Sequence, residues 1–94
     1  MRWNAEKNEA LRHARGVSFE AMVVALGAGG LRDVLPHADP QKYPDQRVLV
    51  VAADGYAYLV PFVEESGSLF LKTVIPSRKA TRDYLKGGGP RGGA

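Results

Sequence analysis

The chain has 94 residues, no cysteine and a formal net charge of +3. That length holds one hydrophobic core and not two. The lack of thiols excludes a disulfide framework and a thiolate metal site, and no apolar run approaches the ~20 residues of a membrane span. Charge is uneven: five Lys/Arg against four Asp/Glu over residues 1–33, two against five over 34–71, and six against one over 72–94. A basic C-terminal third beside an acidic middle implies two surfaces, one suited to a polyanion and one to a basic partner. The N-terminus, Met1-Arg2-Trp3-Asn4, lacks the apolar core of a signal peptide, so a cytoplasmic protein is expected.

In chain order, the elements predict an α+β fold: two N-terminal helices, an antiparallel β-meander sheet and a short C-terminal helix. Asn4 can cap a helix from Ala5 to about Arg15, stopped by Gly16. Ser18 can cap a second, apolar helix from Phe19 to about Leu26, with Val17 and Met22 at the spacing of a hydrophobic staple. A short strand is expected at Leu31–Leu35 and a proline-rich loop at Pro36–Gln46. Arg47–Ala53 reads as a strand, Asp54-Gly55 as a two-residue hairpin turn, and Tyr56–Val63 as the return strand. Glu64–Gly67 reads as a further turn and Ser68–Ile75 as one more strand. Pro61 cannot donate to a ladder, so it implies a bulge or an edge-facing backbone nitrogen. A single domain at 1–86 and a disordered Gly-rich tail at 87–94 complete the expectation.

The segment that carries most chemistry is Ile75-Pro76-Ser77-Arg78-Lys79-Ala80-Thr81-Arg82-Asp83-Tyr84-Leu85. Ser77 is placed to cap the last helix, and Arg78 and Lys79 follow it. Cations at the positive end of a helix lose on the order of 0.3–1 kcal/mol each, and together they gather positive potential where an anion is welcome. On the first helix, a wheel places Lys7 amid Trp3, Ala10, Leu11 and Ala14; it either snorkels from an apolar stripe or points into a cleft. His13 and Arg15 fall on the flanks of that stripe, and Glu9 lies one turn from His13. Tyr56, Tyr58 and Phe62 alternate onto one strand face, as core or as stacking surface for bases. His37-Ala38-Asp39 has no third metal ligand at a recognised spacing, and Gly27–Gly30 lacks the ending of a phosphate loop.

Three stretches resemble the BrnT family of toxins. Trp3-Asn4-x-x-Lys7-Asn8 and Gly16-Val17-Ser18-Phe19-Glu20-Ala21 are similar to the family's opening Trp-Asp-x-x-Lys and His-Gly-Ile/Val-Ser-Phe-Glu-Glu-Ala, without a gap between them. Ile75-Pro76-Ser77-Arg78-Lys79-Ala80-Thr81 resembles Ile-Ser-Ala-Arg-Lys-Ala-Thr, and Arg47 resembles the arginine before the family's middle strand. The likeness covers about residues 2–85. It implies a RelE-like fold, a ribonuclease that arrests translation, and a cognate DNA-binding antitoxin of the BrnA kind in a hetero-oligomer. Two positions depart: Arg15 stands where the family has histidine, with His13 two residues earlier, and Asn4 stands for the acidic residue after tryptophan.

The reaction expected from this reading is attack of a ribose 2′-OH on the adjacent phosphate without metal or cofactor, leaving a 2′,3′-cyclic phosphate and a 5′-OH. It needs a base, cations for the phosphorane, and an acid for the leaving oxygen. Arg78 and Arg47 are the candidates for charge stabilisation, and Lys79 and Lys7 for phosphate contact or proton transfer. His13, Glu20 and Tyr84 are acid or base candidates, and Arg15, Arg82, Tyr56 and Tyr58 RNA-binding candidates. The rival is a non-catalytic module whose basic end binds an acidic protein or nucleic acid.

Overall fold

A computed structural model describes residues 1–85; the expected tail at 87–94 lies outside the described residues. The chain forms β1 (Arg2–Trp3), α1 (Ala5–Arg15), α2 (Phe19–Gly27), β2 (Leu31–Pro36), β3 (Gln46–Ala53), β4 (Tyr56–Glu65), β5 (Ser68–Leu71), β6 (Ile75–Pro76) and α3 (Arg78–Tyr84). Local capping sets the helix limits. Asn4 accepts from Lys7 N at 2.8 Å, Ser18 from Ala21 N at 3.1 Å and Ser77 from Ala80 N at 3.0 Å. Gly16 closes α1 in the left-handed region at φ +68°.

The strands lie in the order β1-β5-β4-β3-β2, and β6 pairs with β4 beyond the end of β5. β1 runs parallel to β5, with Arg2 opposite Phe70 and Trp3 opposite Leu71. The sheet is therefore mixed, not the purely antiparallel meander expected. Two residues are too few to show alternation; β1 is held instead by Trp3, whose ring stacks on Phe19 at 5.5 Å.

Both hairpins turn on two residues with positive φ: Asp54 (54°) with Gly55 (77°), and Ser66 (52°) with Gly67 (77°). Such turns match the twist of the flanking strands, so β4 continues through Glu64 and Glu65 instead of ending at Val63. The expected strand 68–75 is split. β4 meets β5 with Phe62 opposite Leu71, but meets β6 with Tyr58 opposite Pro76, a slip of one residue. Lys72 N donates to Pro61 O at 2.8 Å, so the backbone of Pro61 faces this break, where its missing N–H leaves no ladder bond to lose.

Alternation gives the sheet two faces. Leu49, Val51, Val60, Phe62 and Leu71 point to the first, where Leu11 of α1 and Phe19 and Met22 of α2 close a buried core. Val50 and Ala57 point to the second, where Ala80 of α3 packs with half-buried Leu59, Tyr84 and Leu85. The outer edge of β2 is closed to further strands. His37 N donates inward to Gln46 O, so by alternation Val34 and Pro36 face outward. Val34 N is taken by its neighbour's Asp33 Oδ1 at 2.8 Å, and Pro36 has no N–H.

Candidate functional site

α3 is fixed across the second face at both ends. Ser77 N donates to Ala57 O at 3.0 Å. The buried hydroxyl of Thr81 accepts from Ala57 N at 2.8 Å and donates to Ser77 O at 2.7 Å. At the far end the Tyr84 hydroxyl donates to Asp33 Oδ2 of β2 at 2.7 Å. The run Ser77-Arg78-Lys79-Ala80-Thr81 thus divides its labour: cap, cation, cation, core contact, anchor. Capping and anchoring leave the two cations no choice but the outside of the helix start.

Those cations are not equivalent. Lys79 Nζ lies 2.9 Å from Asp83 Oδ2, and Arg82 Nε lies 3.4 Å from Asp83 Oδ1. The Lys79 hydrogen bond, aided by the charges of both cations, holds the Asp83 carboxyl below its ordinary range. Arg78 is exposed and has no hydrogen bond or ion pair among the described residues. Lys79 also borders a small cavity of about 180 Å³ with Leu35, Val50, Leu59, Ala80 and Tyr84.

Other candidates lie elsewhere. Arg47 points to the first face, its guanidinium 5.4 Å from the Phe62 ring centre and 3.9 Å from Glu64 Oε1. Register puts it opposite Phe62, whereas Pro76, at the start of α3, is opposite Tyr58. That separation is roughly 13 Å along the strand, with the sheet between, so Arg47 and Arg78 do not converge. Tyr56 and Tyr58 also point to the first face, half-buried with ring centres 5.7 Å apart. Tyr58 packs against that core, away from the cations of α3. Tyr84 is held by Asp33 as a tether.

α1 and α2 correct the wheel. The buried positions of α1 are Asn8 and Leu11, while Lys7, Ala10 and Ala14 are exposed. Asn8 turns the helix this way: its Oδ1 accepts from Phe19 N at 2.8 Å and its Nδ2 donates to Glu20 Oε1 at 2.7 Å. That bond from Asn8, first among the causes, draws the Glu20 carboxyl below its ordinary range and makes it a weaker base. Glu20 thus locks α1 to the start of α2. His13 is exposed, 3.9 Å from Glu9, and Arg15 is exposed one residue before the helix stop.

The residues that sequence reasoning missed are Arg2, Phe70 and Lys72. Val48, Pro61, Val63 and Phe70 occupy the half of the second face beyond α3, half-buried and in neither core cluster. Phe70 carries the Arg2 guanidinium 5.9 Å and the Lys72 ammonium 5.6 Å from its ring centre. The alternation Phe70-Leu71-Lys72 shows two of them sharing a face; Arg2 joins only through β1.

A cleft of about 1010 Å³ lies between α2 and the β3–β4 turn, lined by Ala21, Val24, Ala25, Gly30, Ala53 and Gly55 among others. None of the candidate residues lines it, and Arg32 and Asp54 are the ionisable groups that line it among the described residues. No three His, Asp or Glu side chains converge as metal donors among the described residues. No helix of the described chain is long and apolar enough to cross a membrane. Comparison with known proteins finds no matching family model, curated protein or solved structure.

Proposed function

We propose that this chain is a toxin of the BrnT kind with a RelE-like fold, a cytoplasmic endoribonuclease that arrests translation and is neutralised by a DNA-binding antitoxin. The observation that carries the reading is Arg78: an exposed guanidinium with no partner among the described residues, at the junction of β6 and α3. The matching motif supports it, since Ser77, Ala80 and Thr81 do the structural work that holds Arg78 and Lys79 there.

In this mechanism the 2′-OH loses its proton to solvent and attacks the adjacent phosphorus as the bond to the 5′-oxygen breaks; that oxygen takes up a proton, yielding a cyclic phosphate and a 5′-OH. Arg78 stabilises the charge gathered on the non-bridging oxygens. Lys79 leaves Asp83 for a substrate phosphate or for the departing oxygen. Arg47 lies on the opposite face of the sheet, and Glu20 and Tyr84 have structural partners, which removes all three from this role. The rival, binding without scission, has one observation in its favour: Arg15 in the place of the family's histidine.

Inducible expression with a growth curve separates the two. Wild type is expected to arrest growth and to generate new RNA 5′ ends. Arg78→Ala is expected to slow cleavage by roughly 10²–10³-fold, the range for loss of a principal charge-stabilising donor. Cleavage undiminished by Arg78→Ala overturns the assignment, and RNA binding without scission by wild type supports the rival. Co-purification with the product of an adjacent reading frame tests the antitoxin.

A further inference from the structure

We propose that Phe70, with Arg2 and Lys72 beside it, stacks a base of single-stranded RNA and extends the site at α3 along the half of the second sheet face that lies beyond that helix. The inference rests on the ribonuclease reading and names the part of the substrate that this half would hold.

The ring is half-buried, on an apolar floor that includes Pro61 and Val63. A side chain anchored in this way presents a fixed flat surface at little entropic cost. Both cations lie over the ring, 5.9 Å and 5.6 Å from its centre, near the outer limit of about 6 Å for cation–π contact. An incoming base takes the ring in their place and its phosphates take the displaced cations, the combination found in single-strand binding sites.

Charge complementarity supports the choice of a polyanion. Three acids beside this face are engaged: Glu65 Oε1 accepts from Arg2 at 3.0 Å, Asp83 binds Lys79 and Arg82, and Asp33 accepts from Tyr84; Asp45 lines a cleft with Val63, Glu65 and Lys72. Lys72 and Arg78 have no carboxylate partner among the described residues. The two groups of cations lie at opposite ends of one surface. Pro76 is opposite Tyr58 and Phe70 is opposite Val63, so they stand five residues of β4 apart, roughly 17 Å. A strand of a few nucleotides spans that distance. An acidic peptide is the competing occupant; it would meet the cations but brings no planar base to lie on the Phe70 ring.

The test measures binding by fluorescence anisotropy with 2′-O-methyl oligonucleotides, which lack the nucleophile for cleavage. Phe70→Leu is expected to weaken a longer oligomer by about 5- to 150-fold, the range for one stacked base, and to leave a dinucleotide unchanged. Phe70→Trp is expected to keep affinity, with its indole fluorescence quenched by RNA. An abasic site at the stacked position should weaken wild type by the same factor and Phe70→Leu no further. Lys72→Ala should lower the salt slope by about 0.7, one phosphate on a single strand.

Equal affinity of Phe70→Leu and wild type for every oligomer overturns the inference, as does an abasic penalty that adds in full to the substitution. Binding of polyglutamate in preference to RNA overturns it in favour of a protein partner. Should Phe70→Leu fail to fold by circular dichroism, the Phe70→Trp quench and the Lys72→Ala slope decide. If wild type cleaves RNA and Phe70→Leu binds and cleaves alike, this inference alone fails. If wild type neither binds nor cleaves RNA, the ribonuclease reading fails with it.

Discussion

On the first face of the sheet, two helices bury Leu49, Val51, Val60, Phe62 and Leu71 among Leu11, Phe19 and Met22. On the second, the seven residues of α3 bury only Val50, Ala57 and Ala80, and leave Val48, Pro61, Val63 and Phe70 half-buried. The same strands supply both faces, so the contrast comes from what is laid on them. A covered face contributes stability roughly in proportion to the apolar area it removes from water. A half-covered face gives up part of that contribution and keeps a surface on which cations and a ring remain reachable. The larger buried core thus lies on one side of the sheet and the proposed RNA surface on the other.

The contrast breaks first under truncation. Phe62→Ala on the first face is expected to cost about 3–5 kcal/mol of unfolding free energy in a urea titration. Val63→Ala, its neighbour on the second face, is expected to cost less than about 1 kcal/mol, as for a partly exposed position. Equal losses would mean that the second face is covered in solution.

Asn8→Ala comes next. It leaves the buried N–H of Phe19 without an acceptor, at about 1–3 kcal/mol. It also frees Glu20, whose carboxyl should then titrate closer to its ordinary value in an NMR pH series. The sign follows from the depressed carboxyl. In wild type the bond to Glu20 stabilises the fold above the unfolded-state pKa and is lost as pH falls through the lowered folded value. Asn8→Ala should therefore flatten the acid limb of stability against pH; an unchanged limb would remove Asn8 from that role.

Tyr84→Phe should cost about 1 kcal/mol by removing one hydrogen bond to Asp33, and hydrogen exchange should show α3 opening more often. Asp83→Ala has the smallest effect on stability, because its ion pairs are exposed. It releases Lys79 and Arg82, so RNA affinity should rise. A fall in affinity would show that Asp83 holds those cations in their working positions.

Local codes carried most of the elements. Asn4, Ser18 and Ser77 each mark a helix start, and Asp54-Gly55 marks a hairpin, because each acts within a few residues of itself. Non-local features were not legible. The pairing of Arg2–Trp3 with residues 70 and 71 needs the folded sheet. The split at Lys72–Val74 needs the register of two strands against a third. The wheel of α1 pointed the wrong way because it counted Ala10 and Ala14 as core and passed over Asn8, whose amide is worth burying only once the N–H of Phe19 is near. Arg78 and Lys79 emerged because an unfavourable placement is visible in the residue order itself. Arg47, Tyr56 and Tyr58 fell on the other face because the side a strand residue takes depends on where the helices pack.

The pairing of β1 has a consequence for the order of synthesis. Arg2 binds Glu65, 63 residues later, and lies opposite Phe70. A nascent chain whose emerged part stops short of β5 therefore has both termini of that pairing unmade, however complete its first hairpin. Limited proteolysis of ribosome-stalled chains should find the region around Trp3 cleavable until β5 has emerged, and protection before then would contradict this order. The surface that gathers cations around Phe70 forms only after β5 has been made, so an interrupted translation product would carry Arg2 without the strand against which it lies.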